Sequence, residues 1–108
     1  MIFKKEYRYV YGVWGYFEDI LKELNADIKK EEKGDLREYR AEVDNVTIVG
    51  RIKYEKREIP ILSRAFGKIP ITRVEIEVNE RGVDTPKSKK IYETIVKKLH
   101  LMTLRFGA

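Results

Sequence analysis

The sequence predicts an α+β fold, a two-layer sandwich in which an antiparallel five-stranded sheet carries two helices on one face in the order β-α-β-β-β-β-α. Three observations predict it. Apolar and charged residues alternate in short segments bounded by turn residues, and two stretches, 14–24 and 86–102, space their apolar residues as a helix does. Between them, Asp44-Asn45 is a two-residue turn that matches both the faces and the charges of its flanks. With 108 residues, 43% of them hydrophobic, the chain is the length of one domain, 1-108, with a single core.

Residues 3–11 place Phe3, Tyr7, Tyr9 and Tyr11 on one face and Lys4, Glu6 and Arg8 on the other, with only Lys5 out of period, which predicts a first strand with its tyrosines beneath the helices. "GVWG", 12–15, turns the chain. Trp14, Phe17, Ile20, Leu21 and Leu24 then share about a third of a helical wheel, and Glu18 and Asp19 are placed in the first turn, where the helix dipole favours acids. "IKKEEKGD", 28–35, is charged and aperiodic and reads as a surface loop. Across Asp44-Asn45, Val43 is set against Val46, Ala41 against Ile48, Tyr39 against Gly50 and, on the other face, Glu38 against Arg51.

Residues 54–78 hold "IPI" twice and read as a turn at 55–57, an edge-like strand through Ile59 and Leu62, a turn at 66–68 and a last strand over 71–78 with Val74, Ile76 and Val78 inward. Pro60 and Pro70 lack a ladder donor and mark edges or bulges. Gly82 supplies a positive-φ turn, Thr85 or Asp84 an N-cap and Pro86 the first helical turn. Ile91, Ile95, Leu99 and Met102 then recur at helical spacing to about Met102, with Tyr92 flanking.

Cysteine is absent, which excludes disulfides, thiolate metal sites and cysteine nucleophiles. Charged residues make up 38%, glutamine is absent, and asparagine occurs only at Asn25, Asn45 and Asn79, a composition like that of heat-adapted proteins. No apolar run nears the ~20 residues a membrane helix needs, and the start lacks a secretory signal, so a cytoplasmic, soluble protein is expected. No cofactor is implied.

The element order resembles the TATA-binding-protein-like class of folds and small archaeal domains with the same β-α-β4-α plan, over residues 3–102. In the TATA-binding protein two such units form a saddle whose concave sheet face grips the minor groove with phenylalanine wedges. By that resemblance one unit here implies a dimer, and Phe66, between Arg64 and Lys68, is the closest parallel to a wedge. The free sheet face, however, sets Lys4, Arg8, Arg40, Arg51, Lys53 and Arg73 against Glu6, Glu38, Glu42, Glu75 and Glu77, and so near-neutral a face is a poor cradle for phosphates.

No catalytic constellation emerges, and a non-enzymatic domain is expected. His100 lies opposite the apolar stripe without metal partners, Ser63 and Ser88 sit outside any nucleophile elbow, and Glu75 and Glu77 lie beside Arg73 as a solvated network. The glycines of "GVWG" have no cation nearby to hold phosphate. The net charge of +5 instead concentrates at the C-terminus, where Lys87, Lys89, Lys90, Lys97, Lys98 and Arg105 face one acid, Glu93, which is spaced to pair with Lys97. Three functions follow: contact with nucleic acid or another polyanion through these residues, joined by Arg64, Phe66 and Lys68; homodimerisation or protein interaction through a sheet edge at 59–71; or a small-ligand pocket lined by Tyr9, Tyr11, Trp14 and Tyr92.

Overall fold

The computed structural model describes residues 1–58, 60 and 67–107, with the backbone alone at 105–107. The chain runs β1 (Ile2–Arg8), α1 (Val13–Glu23), β2 (Asp27–Lys33), β3 (Leu36–Val43), β4 (Val46–Arg57), β5 (Ile69–Glu80) and α2 (Pro86–Gly107). Its strands form one antiparallel sheet in the order β1-β5-β4-β3-β2. Both helices pack on one face, as a two-layer α+β fold requires, through Phe17, Ile20 and Leu21 of α1 and Ile95 and Leu99 of α2 against Tyr39, Ile48, Ile52, Ile76 and Val78 of the sheet.

The β3-β4 hairpin has the expected register, Val43 opposite Val46 through Glu38 opposite Arg51. Asp44 and Asn45 take φ of 50° and 67°, the left-handed pair that a two-residue turn needs if its twist is to match the strands. Residues 28–35, expected as a loop, are instead most of β2 and its turn, Gly34 opening the reversal at φ 58° and Lys33 pairing with Leu36. Being an edge strand, β2 has water on most of its sides, and only Ile28 packs against the core, so no alternation was needed to fold it. β2 thus supplies the fifth strand, and the strand expected through Ile59 and Leu62 lies outside the described residues.

β4 continues unbroken to Arg57, so no turn occurs at 55–57. Pro70 lies inside β5, opposite Lys56. Its carbonyl accepts from the Tyr9 amide at 3.0 Å on the β1 side. The proline nitrogen points to that same side, just past the last β1 pair of Arg8 with Ile71, so no bond to β4 is lost.

The first strand also ends sooner than alternation implied. Tyr9 adopts φ 60°, which breaks the pleat, and Val10 turns inward in place of its neighbours. Tyr7 is buried, but Tyr9 and Tyr11 are 47% and 63% exposed. The expected burial of all three tyrosines therefore holds for Tyr7 only.

α1 begins at Val13, so Glu18 and Asp19 lie beyond its first turn, which holds no acid. It ends in a Schellman motif, Asn25 at φ 56° with its amide to Lys22 O at 3.0 Å and the Ala26 amide to Leu21 O at 3.1 Å. α2 opens on a reciprocal cap: the Ser88 amide donates to Thr85 Oγ1 at 3.1 Å and the Thr85 amide to Ser88 Oγ at 2.8 Å, with Pro86 in the first turn. It runs five residues past the predicted end at Met102.

Glu18 serves the core rather than the dipole. Its Oε2 accepts the buried Tyr39 hydroxyl at 3.1 Å, and Lys30 and Lys22 stand at 3.7 and 3.5 Å from its oxygens. Burial first, and then the Glu18 carboxylate taking its hydrogen bond, push the Tyr39 hydroxyl well above the ordinary tyrosine value. Burial acts to raise the Glu18 carboxyl, but the Tyr39 hydrogen bond together with Lys30 and Lys22 outweighs it and holds the group below its ordinary value. The unfolded chain therefore takes up this proton more readily. The stabilisation is complete above the ordinary carboxylate value and is lost as pH falls through the lower folded one. Glu18→Gln is expected to lower the neutral-pH melting temperature while flattening the acid-side loss, in thermal melts from neutral pH down to about pH 3. An acid limb as steep as the parent's would show that Glu18 is not its source.

Candidate functional site

Of the nine residues expected to meet a polyanion, six have described side chains, and two of these are engaged by acceptors of other elements. Lys87 donates to Asp44 O at 3.0 Å and pairs with Glu80 at 3.4 Å, and Lys98 pairs with Glu23 of α1. Lys89, Lys90 and Lys97 are exposed and form no ion pair among the described residues, so the expected Glu93–Lys97 pair is not made. Lys68 is exposed ahead of β5, while Arg64, Phe66 and the Arg105 side chain lie outside the described residues. Three free lysines remain on α2. One of them, Lys97, joins Phe3, Lys5, Tyr92, Val96 and the exposed His100 around a groove of about 340 Å³ between β1 and α2.

Nor does the free sheet face gather charge of one sign. The register sets there every residue expected, and adds Lys29, Lys33 and Arg57 against Asp27, Glu31 and Glu55, so the balance persists. Arg57 grips Glu6 with two hydrogen bonds of 3.1 Å and also reaches Glu55; the Arg57 hydrogen bond holds the Glu6 carboxyl below the usual carboxylate range. Arg73 stands 3.6 Å from Glu6, and Arg51 lies between Glu38 and Glu75 at 3.9 and 3.8 Å. Only locally is the balance uneven: the depression on this face, about 460 Å³, is lined by Lys4, Lys5, Arg51, Lys53 and Arg73 against Glu6 and Glu75, with Arg51 and Arg73 paired to those acids. The edge expected at 59–71 is also misplaced in part, because Ile69, Pro70 and Ile71 sit in central strand β5 and the true edges are β1 and β2.

A larger concavity lies elsewhere, at the end of the helix-bearing face where the chain crosses from β1 into α1. It holds about 690 Å³ and is lined by Tyr11, Gly12, Trp14, Asp35, Tyr54, Glu55, Lys56 and Pro70. Each element places its part for a local reason. The left-handed turn at Tyr9 throws the Tyr11 ring outward, and Gly12 at φ 75° starts α1 so that Trp14 falls at the cleft. Tyr54 and Lys56 share the inner face of β4 beyond the last fully buried residue, Ile52. The Gly34 turn delivers Asp35 to the rim.

Two contacts stiffen these walls. The Arg37 guanidinium lies 4.0 Å above the Trp14 ring, itself held by Glu32 at 3.1 Å. The Tyr54 hydroxyl accepts the Val13 amide at 3.0 Å, filling the helix N-terminus in place of a cap side chain, and burial pushes this hydroxyl above its ordinary value. With Gly15 and Tyr16 amides both donating to Gly12 O, a phosphate finds no open amide at those positions, in keeping with the reading of "GVWG" as a structural turn.

Of the four aromatics expected to line a pocket, Tyr11 and Trp14 do so. Tyr9 does not, and Tyr92 belongs to the β1–α2 groove, its hydroxyl donating to Ile2 O at 3.4 Å. Tyr54, Asp35 and Lys56 were missed. Tyr54 follows Ile52 at strand period and was legible had β4 been extended. No helix among the described residues is long and apolar enough to cross a membrane. Comparison of the chain with protein-family models and with curated proteins finds no match.

Proposed function

We propose that this protein is a non-enzymatic small-ligand-binding module whose site is the cleft between the start of α1 and the distal end of β4. One observation supports the reading above the others: three aromatic residues, the largely exposed Tyr11 and the half-buried Trp14 and Tyr54, line an open concavity of about 690 Å³. Ligand sites are concave and mostly apolar, with a few polar groups at the rim, and this is the composition here. Tyr11 is the most dispensable wall for the fold, being 63% exposed. Tyr11→Ala is expected to leave the melting temperature within about 2 °C, since exposed positions carry little stability, and to weaken binding of small aromatic probes by about tenfold, the loss of one stacking face. A fragment set of single-ring compounds, followed by amide NMR shifts, tests it: perturbations should centre on Tyr11, Gly12, Trp14 and Tyr54. Shifts confined to other surfaces, or none, would refute the assignment.

A second reading is favoured by the charge segregation onto α2. Lys89, Lys90 and Lys97 are free to meet a polyanion such as nucleic acid, and three neutralised phosphates give a slope of log K against log salt of about −2.7 on duplex DNA. Replacing all three by glutamine should abolish that slope. Binding that survives the triple substitution with its salt dependence intact removes this surface from consideration.

A further inference from the structure

We infer that the ligand of the cleft is an aromatic zwitterion, an aromatic ring whose short side arm carries both an ammonium and a carboxylate, as in a free aromatic amino acid. The inference rests on the cleft being a ligand site and adds the chemical class. It comes from the charges at the rim. Three charged residues line the cleft, and one of them, Glu55, alternates to the other face of the sheet, where Arg57 holds its carboxylate. The other two, Asp35 and Lys56, are exposed, of opposite sign, and make no ion pair among the described residues, with each other or with anything else. A carboxylate and an ammonium that flank one concavity without closing on each other are complementary to a ligand bearing both charges.

Simpler ligands fit less well. A purely cationic one would pair with Asp35 but meet the Lys56 ammonium with no anion of its own to satisfy it. A phosphate would meet the Asp35 carboxylate, and the Val13 amide that would hold it is spent on Tyr54. An uncharged ring would stack on Tyr11, Trp14 and Tyr54 while gaining nothing from either rim charge. Only a ligand with both charges uses all five groups.

The chain's single tryptophan, Trp14, stands in the cleft and reports occupancy by its fluorescence. Four phenyl compounds, all transparent where tryptophan is excited, separate the contributions: L-phenylalanine, phenethylamine without the carboxylate, 3-phenylpropionate without the ammonium, and 2-phenylethanol without either. L-phenylalanine should bind at least about tenfold more tightly than each of the others, a charge-assisted contact to a partly exposed partner being of that order. Asp35→Asn should reduce its affinity to that of 3-phenylpropionate while leaving 3-phenylpropionate unweakened, and Lys56→Met should do the reverse with phenethylamine. Both positions are exposed, and unchanged melting curves will show that the fold is intact. If all four compounds bind alike, or a singly charged one matches L-phenylalanine, the zwitterion class is wrong and the cleft remains a ligand site. If none changes the Trp14 emission up to its solubility limit and none shifts the amides of Tyr11 to Tyr54, both the class and the site fall.

Discussion

Gly50→Ala is expected to lower the unfolding free energy by about 2–3 kcal/mol, read from denaturant midpoints at constant m-value. The sign is informative because intrinsic preference points the other way: alanine in a strand interior normally gains about 0.5–1 kcal/mol over glycine through the unfolded chain. What opposes it is the Phe17 ring. A Cβ on Gly50 would stand 2.3 Å from Phe17 Cε1 and 2.5 Å from Cζ, well inside van der Waals contact. The ring has no retreat, since Phe17 is fully buried and set edge-on to Tyr39 at 5.4 Å between centroids. Tyr39 is in turn the cross-strand partner of Gly50, so one methyl group is resisted from the helix and from the neighbouring strand together. The double variant Gly50→Ala with Phe17→Leu should recover part of the loss, with a coupling of about 1–2 kcal/mol. A stabilised Gly50→Ala protein would mean that α1 does not rest on β4 as described.

The contact also shows which parts of the fold are legible in a sequence and which are not. Tyr39 over Gly50 was readable because turn chemistry at Asp44-Asn45, face alternation and the Glu38–Arg51 charge match all select the same register. No comparable agreement exists at Tyr9. A non-glycine residue in the left-handed region carries no local signal, and one such residue suffices to send Tyr9 and Tyr11 to solvent. Strand β2 was hidden for a different reason: water bathes its outer edge and most of both its faces, and a two-residue Gly34-Asp35 turn was its only mark. The candidate surfaces divide the same way. The excess of lysine on α2 is written in the sequence, but Asp44, Glu80 and Glu23, which tie down Lys87 and Lys98, come from other elements. The cleft likewise needs the Tyr9 break, the β2 turn and the end of β4 to meet, and each was individually misread.

Ile95→Ala should cost about 3–4 kcal/mol, the transfer loss of a fully buried isoleucine plus the cavity it leaves, and so remove a large share of the ~5–15 kcal/mol available to a domain of this size. The control lies on the same helix. Leu101 and Leu104 are as apolar as the stripe but 54% and 59% exposed, and alanine there should change stability by no more than about 0.5 kcal/mol. The contrast depends on how α2 is rotated. Ile95 and Leu99 point at the sheet with Thr103 one turn further on, and Lys98 on the flank reaches Glu23 of α1, which fixes the helix about its axis. A rotation of roughly a third of a turn would carry Leu101 or Leu104 toward the sheet and bring Lys97 toward it as well, removing the expected order of effects. Equal losses at Ile95 and Leu101 would therefore refute this docking, and with it the exposure of Lys89, Lys90 and Lys97 on which polyanion contact depends. The cleft at the start of α1 would be untouched by that result, because Tyr11, Trp14 and Tyr54 are held by the β1–α1 crossing and by β4.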